Sequence, residues 1–404
     1  MADKNIPPSS YQPEKFVNRD EEINHVVSIL LQAQPRVRAI AVDGDRGVGK
    51  TWLSLHLHRT KFKEIKGLTS WLFSLSDPGE GYRPWGEKPQ ANEHFVLENE
   101  LLNVDGFLSI IIAGLSIKLP PKPVLAEKVD AVRRYVQSHA DARFVLILDS
   151  AYESDWSLLE QLETHFLGNL LTLSNFFVIV TGRGRPYPWK IPYLIEAVRF
   201  GLGKFSVEQI QEQLKKFGLS SILSSQDIYV IGDGWPLFTE FLASAKDRTE
   251  ALEIAANLLF AVIPARERLQ IRKYFEALCP LEGFGESEAA LMVETYNPQS
   301  GKQEGRDICK KMNSTHLISW KNGRYVVNEP VQKILQQYLP LKDKDAWVRL
   351  HCAAYRHFEA QANDRSMERF RSFFEGQMQN HAKALSDAGI NDPHTCPVSS
   401  TKEA

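Results

Sequence analysis

Cysteine is scarce in this chain and poorly placed for chemistry. The 404 residues hold Cys279, Cys309, Cys352 and Cys396, and no two of them form a C-x-x-C pair. That spacing excludes a zinc ribbon or a thioredoxin-like motif and predicts isolated, reduced thiols. Long apolar runs are missing as well. The longest, Phe107 to Ile117, is well short of the ~20 residues that cross a bilayer, and it predicts a buried helix. The start, Met-Ala-Asp-Lys-Asn-Ile-Pro-Pro, lacks an apolar core, so no secretory signal is expected. Nor does one charge dominate. Forty-eight Lys+Arg against 50 Asp+Glu leave a formal net charge of −2, with no global field toward nucleic acid or membrane. These features predict a cytoplasmic protein without membrane contact. At 43% hydrophobic and 24% charged residues the composition is that of a globular protein, and the length predicts two to four domains.

One segment stands out against that background. Gly44-Asp45-Arg46-Gly47-Val48-Gly49-Lys50-Thr51 reads G-x-x-x-x-G-K-[ST], the pattern of a phosphate-binding P-loop. The apolar run Arg38–Val42 before it predicts a strand. The run from Trp52 to Leu57 after it has apolar residues at helical spacing. In that setting the glycines turn successive N–H groups inward around a phosphate, and the helix N-terminus adds its dipole. Lys50 is expected on the β- and γ-phosphates of a nucleotide and the Thr51 hydroxyl on Mg²⁺, with Gly44 through Trp52 forming the binding segment. Lys50 is expected to be exposed in its loop, serving the ligand rather than the core.

A second apolar run, Phe144 to Leu148, ends in Asp149, the pattern of a strand whose acid holds the water shell of Mg²⁺. Hydrolysis by such a site usually needs a further acid to orient water. The next residue is Ser150, which cannot act as a base. Glu153 and Asp155 come next, at positions that also read as solvated loop acids. Slow hydrolysis is the expectation.

Strands expected at Arg38–Asp43, Ser70–Leu75, Phe144–Asp149 and Phe176–Thr181, separated by helical patterns, predict a parallel sheet over 16–198 after an arm at 1–15. Pro78 to Asn92 reads as a surface excursion. Beyond about Phe200 the pattern turns helical. Ser206-Val207-Glu208-Gln209 opens a capping box, and a helical lid is expected over 199–260. Helices at Leu269–Cys279, Glu286–Tyr296 and Arg306–Asn313 precede a hairpin whose turn is Asn322-Gly323, which predicts a winged helix over 261–340. Pro330 suits the first turn of the next helix. C-terminal helices over 341–385 and a flexible tail at 386–404 complete the expected order.

Taken in order, these motifs resemble the STAND class of P-loop ATPases, the signal-transduction switches that include NB-ARC proteins. Phe16-Val17-Asn18-Arg19-Asp20 is similar to the family's leading motif, which implies that Val17 and Arg19 lie against adenine and ribose. Asn18 stands where the family usually has glycine, and asparagine also enters left-handed backbone regions. Phe177 to Arg183 is similar to the sensor strand, whose arginine reads the γ-phosphate. Arg183 has the family's spacing, with Arg185 as the competing position. Gly234-Trp235-Pro236-Leu237 resembles the Gly-x-Pro motif, which implies that Pro236 packs near the base. By the family's order Asn328 stands where a histidine often touches the β-phosphate; it also suits the N-cap of the next helix. The resemblance implies ATP/ADP and Mg²⁺ as ligands, and a protein partner or self-association in the ATP state.

The rival is an AAA+-type ATPase with a DNA-contacting winged helix, as in origin-recognition or helicase-loader proteins. From Ala256 to Pro340 there are 11 Lys+Arg and 9 Asp+Glu, an excess too small for the usual electrostatic footprint of DNA binding. Arg306, Lys310 and Lys311 on the third helix are the residues that would meet phosphates. The mix Tyr355, Arg356, Phe358, Arg369, Phe370, Phe373 and Phe374 reads either as packing on the winged helix or as a docking face.

Overall fold

The computed structural model describes residues 9–45, 47–76, 83–86, 88–96, 102–261, 263–300 and 303–396. They group into two compact units. The first is Met1–Val230 with Gly234–Ser244, and the second is Ile231–Asp233 with Ala245–Ala404.

The first unit is built on six strands: β1 Ala39–Asp43, β2 Leu68–Ser74, β3 Glu93–Phe95, β4 Arg143–Asp149, β5 Phe176–Gly182 and β6 Val198–Gly201. They pair side by side in the order β3-β2-β4-β5-β1-β6, every pairing parallel. Parallel strands need helical crossovers, which cover both faces, so the central strands read as unbroken apolar runs. Phe144, Val145, Leu146, Ile147 and Leu148 are all buried, on both sides of the sheet. Helices α1 Asp20–Leu30, α2 Lys50–His56, α3 Val104–Gly114, α4 Leu125–Ser138, α5 Trp156–Leu162, α6 Gly168–Leu170 and α7 Pro192–Ile195 surround it. One apolar cluster joins Trp71, Phe73, Leu146 and Val178 of the sheet to Phe107, Ile111 and Phe166. Burying each such side chain contributes about 1.5–3 kcal/mol. Register decides where the site falls. Asp43 stands opposite Gly182, and Leu148 opposite Val180, so the chain leaves β1, β4 and β5 at one edge of the sheet.

Helices α8 Val207–Phe217, α9 Ser225–Gly232 and α10 Pro236–Ala243 come next. The capping box at Ser206 is formed, its hydroxyl accepting from Gln209 N and the Gln209 side chain accepting from Ser206 N. The segment 199–260, expected as one lid, divides between the units. Nearly all of α8 to α10 belongs to the first, and α11 Arg248–Phe260 to the second.

The second unit continues with α12 Ala265–Leu278, α13 Glu286–Tyr296, α14 Gly305–Asn313, the hairpin β7 Ile318–Lys321 and β8 Arg324–Val327, then α15 Glu329–Lys342, α16 Lys344–Asn363 and α17 Arg371–Asp387. Asn322 and Gly323 both take positive φ (50° and 78°), as a tight hairpin turn demands. Phe358 and Phe374 are buried, whereas Phe370 and Phe373 are partly exposed. The expectation of isolated, reduced thiols fails for two of the four cysteines. Cys352 on α16 and Cys396, within the stretch expected as a flexible tail, form a disulfide with Cα atoms 6.2 Å apart. Both are buried in a small cluster with Val348 and Leu385. Cys279 and Cys309 are free and buried. Among the described residues no helix is long and apolar enough to cross a membrane.

Candidate functional site

The loop between β1 and α2 folds as its glycines require. Gly47 (φ 90°) and Gly49 (φ 97°) sit in left-handed backbone, and Gly49 is the N-cap of α2. A Cβ on Gly47 would come within 3.0 Å of the Leu237 Cβ, so only glycine allows that approach. A Cβ on Gly49 would meet nothing within 4 Å, which leaves open space over the helix N-terminus. Lys50 is buried, contrary to expectation. Its Nζ donates to the carbonyls of Gly44 (2.6 Å) and Asp45 (2.9 Å). Burial lowers its pKa, the carboxylate of Glu153 opposing the shift and Arg183 adding to it. Val48 is buried beneath the loop. Arg46 lies outside the described residues.

Asp149, at the end of β4, is only 1% exposed. Its carboxylate accepts from Thr51 Oγ1 (2.9 Å), Ser54 Oγ (3.1 Å), Thr181 Oγ1 (2.7 Å) and, more weakly, Ser150 Oγ (3.4 Å). All four donors are uncharged. They orient the carboxylate without neutralising it. Ser150 adopts left-handed backbone (φ 54°), which turns the chain sharply after the acid. Ser54 and Thr181 were not singled out from sequence. Their signal was a lone hydroxyl inside an apolar run: Ser54 one helical turn after Thr51 and facing the same way, Thr181 closing β5.

Glu153 and Arg183 leave neighbouring strands and meet. Glu153 Oε2 accepts from Arg183 N (3.2 Å), and Oε1 lies 3.3 Å from Arg183 Nε. Glu153 is therefore no solvated loop acid. Asp155 does play that part: it is exposed and caps α5 by accepting from Ser157 N. Arg185 is exposed over the Trp156 ring, 5.7 Å from its centroid, so Arg183 is the arginine beside the loop lysine.

The leading motif reaches the same loop. Val17 is buried, and Asn18 (φ 53°) and Arg19 (φ 95°) both take left-handed backbone. Arg19 Nη2 donates to the carbonyls of Val48 (3.0 Å) and Gly203 (2.6 Å), its guanidinium lying over Phe205. Trp52 stacks on Phe217 of α8 and meets Tyr11 edge-on. Pro236 begins α10, and its carbonyl accepts from Gln213 Nε2 (3.0 Å). The next residue closes on the loop, Leu237 N donating to Gly47 O (3.1 Å). Leu237 is a contact that sequence reasoning missed. Asn328 belongs to the second unit, where it is the N-cap of α15. Its side chain makes no cap bond and donates to His316 O (3.3 Å).

Glycine-shaped open space at a helix N-terminus, a lysine on loop carbonyls and an acid oriented by uncharged hydroxyls make a donor set suited to a polyphosphate with a hard divalent cation. No family model matches this chain, and no curated protein matches it in sequence. Solved structures do. The Walker-type ATPase of Pyrococcus abyssi matches over 82% of this chain and 99% of its own, at 17% identity and a TM-score of 0.51. The fold is that of a P-loop ATPase. Also similar are Cdc6p from Pyrobaculum aerophilum (12% identity, 81% of this chain and 96% of that one, TM-score 0.40) and a STAND protein with a tetratricopeptide repeat sensor from Pyrococcus horikoshii (14%, 93% and 54%, TM-score 0.34).

Proposed function

We propose that this chain is a nucleotide-dependent molecular switch of the STAND type, akin to NB-ARC proteins, that binds ATP or ADP with Mg²⁺, hydrolyses ATP slowly and signals through a protein partner or self-association. The observation that carries this reading is that Lys50 of the glycine loop and Asp149 at the end of β4 are each held by groups a ligand can replace or share. Lys50 is held by carbonyls that a phosphate can replace, and Asp149 is oriented by hydroxyls that leave its charge for a cation. When bound, Mg²⁺ offsets the charge on phosphate oxygens. Thr51 and Asp149 are the residues to hold it, and the Gly47 to Lys50 backbone cradles phosphate.

Slow turnover is the consequence of the groups around Asp149. Ser150 cannot take a proton from water, and the nearby Glu153 is engaged with Arg183. The loop is also coupled to the helices beyond the sheet, because Leu237 N donates to Gly47 O at the start of α10. A change of ligand at the loop therefore acts on the helix that leads into the second unit, whose three helices and hairpin we take as a winged helix.

Lys50→Ala tests the reading. Losing the lysine should weaken ATP binding at least about 100-fold, roughly 3 kcal/mol. Circular dichroism and thermal unfolding should confirm that the variant is folded. Wild-type ATP affinity in that folded variant rejects the P-loop reading.

A further inference from the structure

We infer that Glu153 is a specificity-determining residue of this site: it restrains Arg183 away from phosphate, so that the arginine is given up to a nucleoside triphosphate and withheld from a diphosphate. The inference rests on the nucleotide-switch reading and adds to it which group sets the preference.

The two residues are fixed by the fold. Glu153 closes the turn Ala151–Glu153 after β4, and Arg183 comes directly after β5, the neighbouring strand. The turns are locked together one residue earlier, because the Tyr152 ring occupies the space a Cβ on Gly182 would need. The grip itself is uneven. Glu153 Oε2 accepts from the Arg183 main-chain N–H, which anchors the acid. Oε1 lies 3.3 Å from Nε without hydrogen-bond alignment, so the guanidinium is held by charge more than by geometry. Both side chains are largely desolvated, at 7% and 13% exposure. Burial raises the pKa of Glu153 and lowers that of Arg183, so each depends on the other for its charged form. Glu153 also acts on Lys50, supporting the ammonium that burial disfavours. One carboxylate thus contacts Arg183 and acts electrostatically on Lys50, the two cations that a terminal phosphate would recruit. The added charge of a third phosphate competes for those cations, whereas a diphosphate leaves the pair in place.

Glu153→Gln keeps the size and the acceptor for Arg183 N–H while removing the charge. We expect it to tighten ATP binding about tenfold while changing ADP binding less than about threefold. Glu153→Asp, which keeps the charge, should retain the wild-type ratio. In an Arg183→Ala background the Glu153→Gln effect on the ratio should fall below about threefold, since the restrained group is gone. A nucleotide-free readout is the rate at which phenylglyoxal modifies Arg183, followed by peptide mass. It should rise at least about fivefold in Glu153→Gln, because a released guanidinium is more accessible. In the wild type, which needs no variant to fold, a non-hydrolysable ATP analogue should protect Arg183 and ADP should not. A wild type that binds neither nucleotide overturns the switch reading and this inference together. Binding of both nucleotides, with the ratio and Arg183 reactivity indifferent to Glu153→Gln, overturns the restraint alone. So does an undiminished Glu153→Gln effect in the Arg183→Ala background, or equal Arg183 reactivity with the two ligands.

Discussion

In the first unit Asp149 is 1% exposed and is approached by the hydroxyls of Thr51, Ser54, Ser150 and Thr181. In the second, Glu276 is equally buried, but its partners are Arg272 (2.9 Å), Lys342 (3.0 Å) and the Tyr296 hydroxyl (2.6 Å). Glu288 shares the second pattern, with Arg324 at 2.6 Å and His357 at 3.7 Å. A buried carboxylate is costly unless its charge is met. Glu276 and Glu288 are met from within. Hydrogen bonds and the neighbouring cations outweigh burial and hold both below the usual carboxylate range. Asp149 accepts hydrogen bonds only from hydroxyls, and the one cation acting on it, Lys50, does so at longer range while its Nζ is held by loop carbonyls. The same residue class is bonded to cations in one unit and to hydroxyls alone in the other.

The comparison is broken or upheld by neutralising each acid in turn. Glu276→Gln leaves Arg272 and Lys342 without their carboxylate and should destabilise the protein by about 3–5 kcal/mol, toward the lower end because Lys342 is 39% exposed. Asp149→Asn should stay within about 1 kcal/mol of wild type, since the amide oxygen still accepts from hydroxyls and Lys50 keeps its loop carbonyls and the carboxylate of Glu153. It should instead abolish the strengthening of ATP binding by Mg²⁺. Urea unfolding and binding titrations with and without Mg²⁺ measure both. Equal destabilisation by the two variants collapses the distinction.

A second experiment sharpens the comparison through bases rather than acids. The units each bury a pair of histidines whose pKa values are depressed chiefly by desolvation: His56 and His58 to about 4 in the first, His351 to about 3 and His381 to about 4 in the second. In the second unit the rings meet directly, Nδ1 to Nδ1 at 2.9 Å, which requires one to donate and the other to accept. With the folded pKa below the ordinary 6.5, the unfolded chain binds the proton first. Stability is therefore full above pH ~6.5 and is lost as pH falls toward 4. Between pH 7 and 5 each such histidine should remove about 2 kcal/mol. His381→Phe should reduce that loss by about 2 kcal/mol, read from chemical denaturation at several pH values. An unchanged pH slope means these rings are not buried as neutral bases.

Legibility in the sequence divides along the same line. The motifs of the first unit are local: the glycine loop, Asp149 after its apolar strand and the Arg183 spacing each lie within a few consecutive residues. The central strands came within two residues of their observed ends because buried parallel strands read as apolar runs. The short edge strands β3 and β6 were not foreseen, since Glu93-His94-Phe95 and Val198–Gly201 carry no such run. The hydroxyl partners of Asp149, the Leu237 contact and the Glu153–Arg183 pair depend on strand order, which periodicity does not encode. The Cys352–Cys396 bond joins residues 44 apart and rests on how the last turn folds back on α16, so scattered spacing misread it.

The smallest expected effect tests whether the second unit contributes a ligand at all. The STAND resemblance implies a histidine-like role for Asn328, yet its amide makes one long bond, 3.3 Å to His316 O, and does not cap α15. Its main-chain N–H donates to Leu317 O (2.9 Å), which any residue but proline can do. Asn328→Ala should therefore cost less than about 1 kcal/mol in stability, the worth of one ordinary hydrogen bond. Amide and imidazole differ in charge, so Asn328→His is the informative partner. If the position faces phosphate, Asn328→His should tighten ADP binding, and the gain should grow as pH falls below the ordinary histidine pKa. If the asparagine serves only the turn before α15, both variants should bind ADP as the wild type does, within about twofold. A tenfold loss in Asn328→Ala, against a stability change this small, would make the second unit a direct partner of the nucleotide and end the division of labour between the two units.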